Sequence, residues 1–114
     1  MTDRLDAPPS AVIDRLFAVI ESRRQADPAT SHTAKLFAKG TRKIAQKAGE
    51  EAVELVIEAV RGKRERIVEE SADLMYHLLV LWDDARVQPQ EIWAELARRE
   101  GMSGIAEKAS RSED

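Results

Sequence analysis

Apolar positions recur at helical spacing over most of the chain, and the interruptions to that rhythm mark where helices begin and end. Ile13, Leu16, Phe17 and Ile20 are spaced for one face of a helix. Pro8, Pro9 and Ser10 carry its start signal, and it is expected to end near Gln25. Residues 26–32, ADPATSH, hold Asp-Pro and Ser/Thr turn chemistry and read as a loop, followed by a short helical turn over 33–39 that Gly40 breaks. From 41 to about 61 no proline occurs, and Ile44, Ala48, Ala52, Leu55, Val56, Ala59 and Val60 keep the helical period as far as Gly62. A further long helix is expected over about 63–85, with Ile67, Leu74, Leu78, Leu81 and Ala85 in step. Pro89 at a first helical position opens another through Arg99, ended by Gly101.

Two long helices joined by a short link predict an antiparallel hairpin with the outer helices packed against it. The fold class is therefore all-α, a four- to five-helix bundle built on a central antiparallel helical hairpin. One domain over 1–114 is expected, with an ordered core of about 10–100, a flexible N-terminus and a flexible tail, SRSED. On the helix over 41–61 the apolar residues span roughly 220° of arc, wider than the stripe of an ordinary surface helix. Two short flanking helices cannot cover that arc. Completion by oligomerisation, as a homodimer or homotetramer, is expected, and a chain of 114 residues, which buries only about two-thirds of its unfolded surface alone, gains stability from it.

Composition agrees with helices: 34% of residues are charged, against five Gly and four Pro. The formal charge of −3, from 21 acidic and 18 basic residues, offers no bulk attraction to nucleic acid or to an anionic membrane. Cysteine is absent, which removes disulfides, thiolate metal sites and cysteine nucleophiles. The N-terminus has no apolar core of signal-peptide length, and the longest uncharged run, residues 74–82, is too short to span a bilayer. A cytoplasmic protein is the expectation.

The acidic residues change the picture most. At about 100° per residue with Glu51 at zero, Glu54 falls near 300°, Lys47 near 320° and Glu58 near 340°, one polar stripe. With Glu70 at zero on the next helix, Asp73 lies near 300° and His77 near 340°. There, Ile67, Leu74, Met75, Leu78, Leu79, Val80, Leu81 and Trp82 occupy most of the remaining circumference. A carboxylate in such surroundings needs a cation or strong donors, because unpaired it costs several kcal/mol or becomes neutral. Glu51 and Glu54, facing Glu70 and Asp73, supply two i, i+3 pairs of oxygen ligands, which select a hard cation, magnesium or manganese, over zinc. The competing reading, a solvated charge face, is hard to reconcile with a helix that is apolar almost all the way round.

Other residues divide between chemistry and packing. Glu50, rotated about 100° from Glu51, is either a surface residue or a group at the edge of the site. Lys35, Lys39, Arg42, Lys43 and Lys47 precede the acids and either clamp phosphates or pair with helix carboxylates, a pairing worth only tenths of a kcal/mol. His77, one turn past Asp73, either orients that carboxylate or is a satisfied core histidine. Tyr76, Trp82 and Trp93 suit packing as well as stacking on adenine, and none is assigned to a base pocket.

The segments KAGEEAVELVIEA, residues 47–59, and EESADLMYHLLVLW, residues 69–82, resemble the all-α nucleoside triphosphate pyrophosphohydrolases. Their shared pattern, E-E-x-x-E then E-x-x-D, falls here on Glu50, Glu51, Glu54, Glu70 and Asp73. TAKLFAKGTRKIAQKAGEEAVE, residues 33–54, narrows the resemblance to the phosphoribosyl-ATP pyrophosphatase family over roughly residues 12–100. The resemblance implies hydrolysis of phosphoribosyl-ATP to phosphoribosyl-AMP and pyrophosphate, the second step of histidine biosynthesis, with magnesium and a homo-oligomer of interleaved helices. His32 departs from the family's more usual Tyr. A fused cyclohydrolase domain is not expected, which leaves the following step to another protein.

In the mechanism so implied, Glu51, Glu54, Glu70 and Asp73 hold metal, the basic cluster meets phosphate and Glu50 serves as base or bridging ligand for the attacking water. Two other functions fit parts of the pattern. A house-cleaning pyrophosphatase for dUTP or another non-standard nucleotide would use the same acids with a different base pocket, and a non-catalytic helical dimerisation module would leave the acids solvated.

Overall fold

A computed structural model describes Pro9 and residues 11–111. Pro8 and Ser10 of the expected helix start lie outside the described residues, as do the rest of the N-terminal segment and residues 112–114 of the tail. The described residues form six helices: α1 (Ala11–Arg23), α2 (His32–Lys39), α3 (Thr41–Arg61), α4 (Arg64–Asp84), α5 (Pro89–Arg99) and α6 (Gly104–Ser110). Among them there is no strand, as the helical periodicity predicts.

Local chemistry sets most of the boundaries. α1 stops at Arg23, two residues before the expected end. Asp27 then closes a tight turn by accepting the Ala29 amide at 2.9 Å. Ser31 caps α2, its hydroxyl accepting from the Ala34 amide at 3.1 Å, so the expected helical turn becomes a full helix starting at His32. Gly62, at φ 73°, adopts the left-handed conformation that ends α3, and its amide and that of Lys63 return to the carbonyls of Ala59 and Glu58. This two-residue link folds α4 back along α3. Pro89 occupies the first turn of α5, where Glu91 accepts the Gln88 amide at 2.8 Å.

The core lies at the end of the hairpin remote from Gly62. Phe17 and Ile20 of α1, Leu36 of α2 and Ile44 of α3 pack on Leu79 and Val80 of α4, which are completely buried. Trp82 and Trp93 meet edge to face at 6.1 Å between centroids, an arrangement suited to packing. Arg24 links α1 to the end of α4 through an ion pair with Asp83 at 3.1 Å while lying over the Phe37 ring. The other end of the hairpin is bare: Val53, Val56, Ile57 and Val60 of α3 and Val68 of α4 are exposed, Val60 at 84%. The radius of gyration, 16.5 Å, exceeds the value of about 13 Å for a compact domain of this length.

α6 was not expected from periodicity. Ser103 caps it by accepting the Ala106 amide, and the buried Glu107 fastens it to α5 through Arg98 at 2.9 Å and Arg99 at 3.4 Å. Arg111, assigned to the flexible tail by the sequence reading, pairs with the same carboxylate at 3.2 Å.

Candidate metal centre

The tight link at Gly62 fixes the register of the hairpin. Residues equally far from Gly62 on α3 and α4 stand at the same height, since each helix climbs 1.5 Å per residue. Glu54 and Glu70 are each eight residues from it, Glu51 and Asp73 each eleven, Lys47 and His77 each fifteen. Glu58 and Arg66, four residues on either side, form the level below the acids and approach to 3.9 Å.

The four acids meet accordingly. Glu51, Glu70 and Asp73 each offer one oxygen within 4.8 Å of the others. Glu54 stands beside them, near enough to raise the carboxyls of both Glu51 and Glu70. Glu70 is buried, the Glu51 side chain is 14% exposed, and Asp73 and Glu54 stand at the mouth of the cluster. Burial, then Glu54 and the charges of Asp73 and Glu70, push the Glu51 carboxyl up to about 7. Burial and Glu54 likewise raise Glu70, against the pull of Arg66. Two carboxylate oxygens here, Glu51 Oε2 and Glu70 Oε2, are buried without a partner. Buried polar atoms are nearly always satisfied, so a cluster of carboxylates with orphaned oxygens and raised ionisation fits a cation. The cluster can hold a metal ion, and a donor set of carboxylate oxygens suits a hard one.

His77 is buried and makes no hydrogen bond to Asp73, the partner that one of its two readings gave it. Its Nε2 faces across the hairpin to Glu51 Oε1 at 3.8 Å, beyond hydrogen-bond range. The antiparallel register carries the imidazole over to α3, which the projection of a single helix cannot represent. Burial, followed by the charges of Lys47 and His32, holds His77 below its ordinary range and keeps it neutral at pH 7.

Glu50 stands outside the cluster, exposed, accepting from Gln46 at 2.8 Å and paired with Lys47 at 3.4 Å. These two neighbours lower its carboxyl, the opposite of what happens to Glu51. Lys47 is thus the one cation of the basic cluster that adopts the helix-pairing alternative. Lys35, Lys39, Arg42 and Lys43 make no ion pair within 4.0 Å among the described residues, and all but Lys43 are exposed.

Arg66 and Glu58 join the site without a role predicted from the sequence. Arg66 grips Glu70 Oε1 at 3.1 Å and Glu69 at 2.7 Å, while Glu58, 12% exposed, sits between Arg61 at 3.6 Å and Arg66. Arg66 stands four residues before Glu70 on the same helix, and that spacing was the available signal.

A family model described as phosphoribosyl-ATP pyrophosphohydrolase matches residues 13–100. The chain is 63% identical over 102 residues to a phosphoribosyl-ATP pyrophosphatase of Azospirillum brasilense, an alignment covering 90% of this chain and 92% of that protein. It is 57% identical over 103 residues to the protein of that name in Gluconobacter oxydans, covering 90% and 77%. With the Rhodospirillum rubrum protein of the same name the identity is 59% over 104 residues, covering 91% and 89%.

Proposed function

The chain belongs to the phosphoribosyl-ATP pyrophosphohydrolase family, and from that membership we propose that it hydrolyses phosphoribosyl-ATP to phosphoribosyl-AMP and pyrophosphate, the second step of histidine biosynthesis, in the cytoplasm. The observation that carries the reading within the structure is the carboxylate cluster with its two buried, partnerless oxygens. No helix among the described residues is long and apolar enough to cross a membrane.

Glu51, Glu54, Glu70 and Asp73 would hold magnesium, or manganese in its place. When bound, the metal supplies positive charge to the phosphate oxygens on which negative charge develops. Lys35, Lys39, Arg42 and Lys43, which make no ion pair among the described residues, would meet the remaining phosphates, and phosphoribosyl-ATP has one more phosphate group than a nucleoside triphosphate. Lys47 joins them by exchanging Glu50 for substrate. Glu50, once released by Lys47 and Gln46, accepts a hydrogen bond from the attacking water. That release removes the two contacts that lower its carboxyl and leaves it free to take the water's proton as base. Neutral His77 packs behind Glu51 and limits the directions in which that carboxylate turns.

The working form is a homo-oligomer, a dimer or tetramer. The bare valine and isoleucine face of the hairpin supports this, since burying each such side chain contributes about 1.5–3 kcal/mol.

A substrate panel tests the proposal. Purified protein with magnesium is expected to release pyrophosphate from phosphoribosyl-ATP far faster than from ATP, dUTP or dITP. Equal rates on dUTP and phosphoribosyl-ATP would remove the specific substrate and leave a general pyrophosphohydrolase.

A further inference from the structure

His32 opens α2 with its position locked by the Ser31 cap, yet the residue is exposed and its side chain makes no hydrogen bond among the described residues. Its ring lies near-parallel to Tyr76, at 26° with centroids 6.4 Å apart. Tyr76 is fixed in turn: its hydroxyl and the Thr33 hydroxyl are 2.5 Å apart, and its ring meets His77 edge-on at 5.0 Å. His77 reaches Glu51 at 3.8 Å. Two contacts, Tyr76 with His77 and His77 with Glu51, therefore connect the His32–Tyr76 pair to the carboxylates.

The same face of α2 carries charge. His32, Lys35 and Lys39 are spaced i, i+3 and i+7, within an arc of about 60°, and all three are exposed. A histidine serving only to pack would be covered. Here the ring stands beside Tyr76 on an exposed residue, on one helix face with two lysines that make no ion pair among the described residues. A flat surface next to unpaired cations complements a ligand with a planar ring and phosphates. Trp82 and Trp93 do not compete for that role, because they pack against each other between α4 and α5.

We infer that His32, backed by Tyr76, is the stacking platform for the purine base of the substrate, with Lys35 and Lys39 meeting its phosphates. The inference rests on the reading of the carboxylate cluster as a nucleotide-hydrolysing site. His32 acts on specificity by its ring face, not on the chemical step. Because His32 is exposed, its loss falls in the lower part of the range of about 1–3 kcal/mol per stacked base.

The test compares wild type with His32→Ala and His32→Phe. His32→Ala is expected to raise KM for phosphoribosyl-ATP by about five- to thirtyfold, with kcat changing far less and magnesium affinity, read by calorimetry, unaltered. His32→Phe, which keeps a ring and loses the imidazole nitrogens, is expected to restore KM. Two probes separate the base from the phosphates: inhibition by ATP weakens in His32→Ala, while inhibition by inorganic tripolyphosphate stays as in wild type. An unchanged KM in His32→Ala overturns the platform, and so does an equal loss of tripolyphosphate inhibition, which would mark His32 as a phosphate cation. If wild type fails to turn over phosphoribosyl-ATP, the proposed substrate is wrong. Calorimetric binding of ATP to wild type and His32→Ala still decides the platform in that case.

Discussion

Glu51→Gln in the metal-free protein isolates the electrostatic cost of the carboxylate cluster. Glu51 ionises at 4.5 in the unfolded chain and at about 7 in the folded one, because burial and three neighbouring acids disfavour its charge. The folded state thus holds its proton longer than the unfolded state does. Below pH 4.5 both states are protonated and no penalty exists. As pH rises from 4.5 to about 7 the unfolded chain ionises first and stability falls, and above 7 the loss is complete, about 3 kcal/mol. Glutamine has nearly the shape of a protonated glutamic acid and no charge to lose. It recovers part of that penalty, since Glu54 and Glu70 remain, and about 1–3 kcal/mol is expected at pH 8. For a domain of this size that is roughly 5–12 °C in Tm.

The assay is thermal melting by circular dichroism at one protein concentration, with chelator, from pH 4 to 8. The two curves are expected to coincide near pH 4 and diverge in favour of Glu51→Gln as pH rises. Saturating magnesium should reverse the order, because a ligand at a hundred times its Kd stabilises by about 2.7 kcal/mol and the variant has lost a donor. A variant melting at or below wild type at pH 8 without metal would refute the crowding of the four acids.

Val56→Asp places a charge on the bare face of α3, where Val56 is 60% exposed. Wild type is expected to scatter light as a dimer or larger, and the variant as a folded monomer, whereas a monomeric wild type would contradict the proposed assembly. Glu107→Ala removes the carboxylate that Arg98, Arg99 and Arg111 share. Amide exchange over residues 104–110 should rise about tenfold or more while Tm shifts by only a few degrees, as expected for local rather than global opening. Unchanged exchange would show that α6 docks without that clamp.

Helices were legible because their signals are local. Proline, glycine and the period of the apolar residues predicted the span 41–61, and α3 occupies Thr41–Arg61. α6 escaped because GIAEKAS has little apolar rhythm. It is held by Glu107 meeting arginines eight and nine residues upstream across a turn, a pairing no periodicity records. The approach of His77 to Glu51 escaped for a related reason, since a helical projection describes one helix and the contact runs between two. Glu58 and Arg66 were visible as residues, but their meeting depends on the length of the link between the helices.

That length also explains why the four acids converge. With a two-residue link, Glu54 with Glu70 and Glu51 with Asp73 stand at matching distances from Gly62, so two i, i+3 pairs become one cluster; one more residue in the link would move each pair out of step by about 1.5 Å. The same register sets the surroundings of the cluster. Above it, Ile44, Leu79 and Val80 are covered by α1 and α2. Below it, Val56, Ile57, Val60 and Val68 are bare. The carboxylates occupy the boundary between these halves, buried on one side and open on the other, which is why Glu70 is hidden while Asp73 faces solvent. A second copy laid on the bare half would therefore form a further wall of the site, and assembly would exclude water from the cluster as well as stabilise the fold.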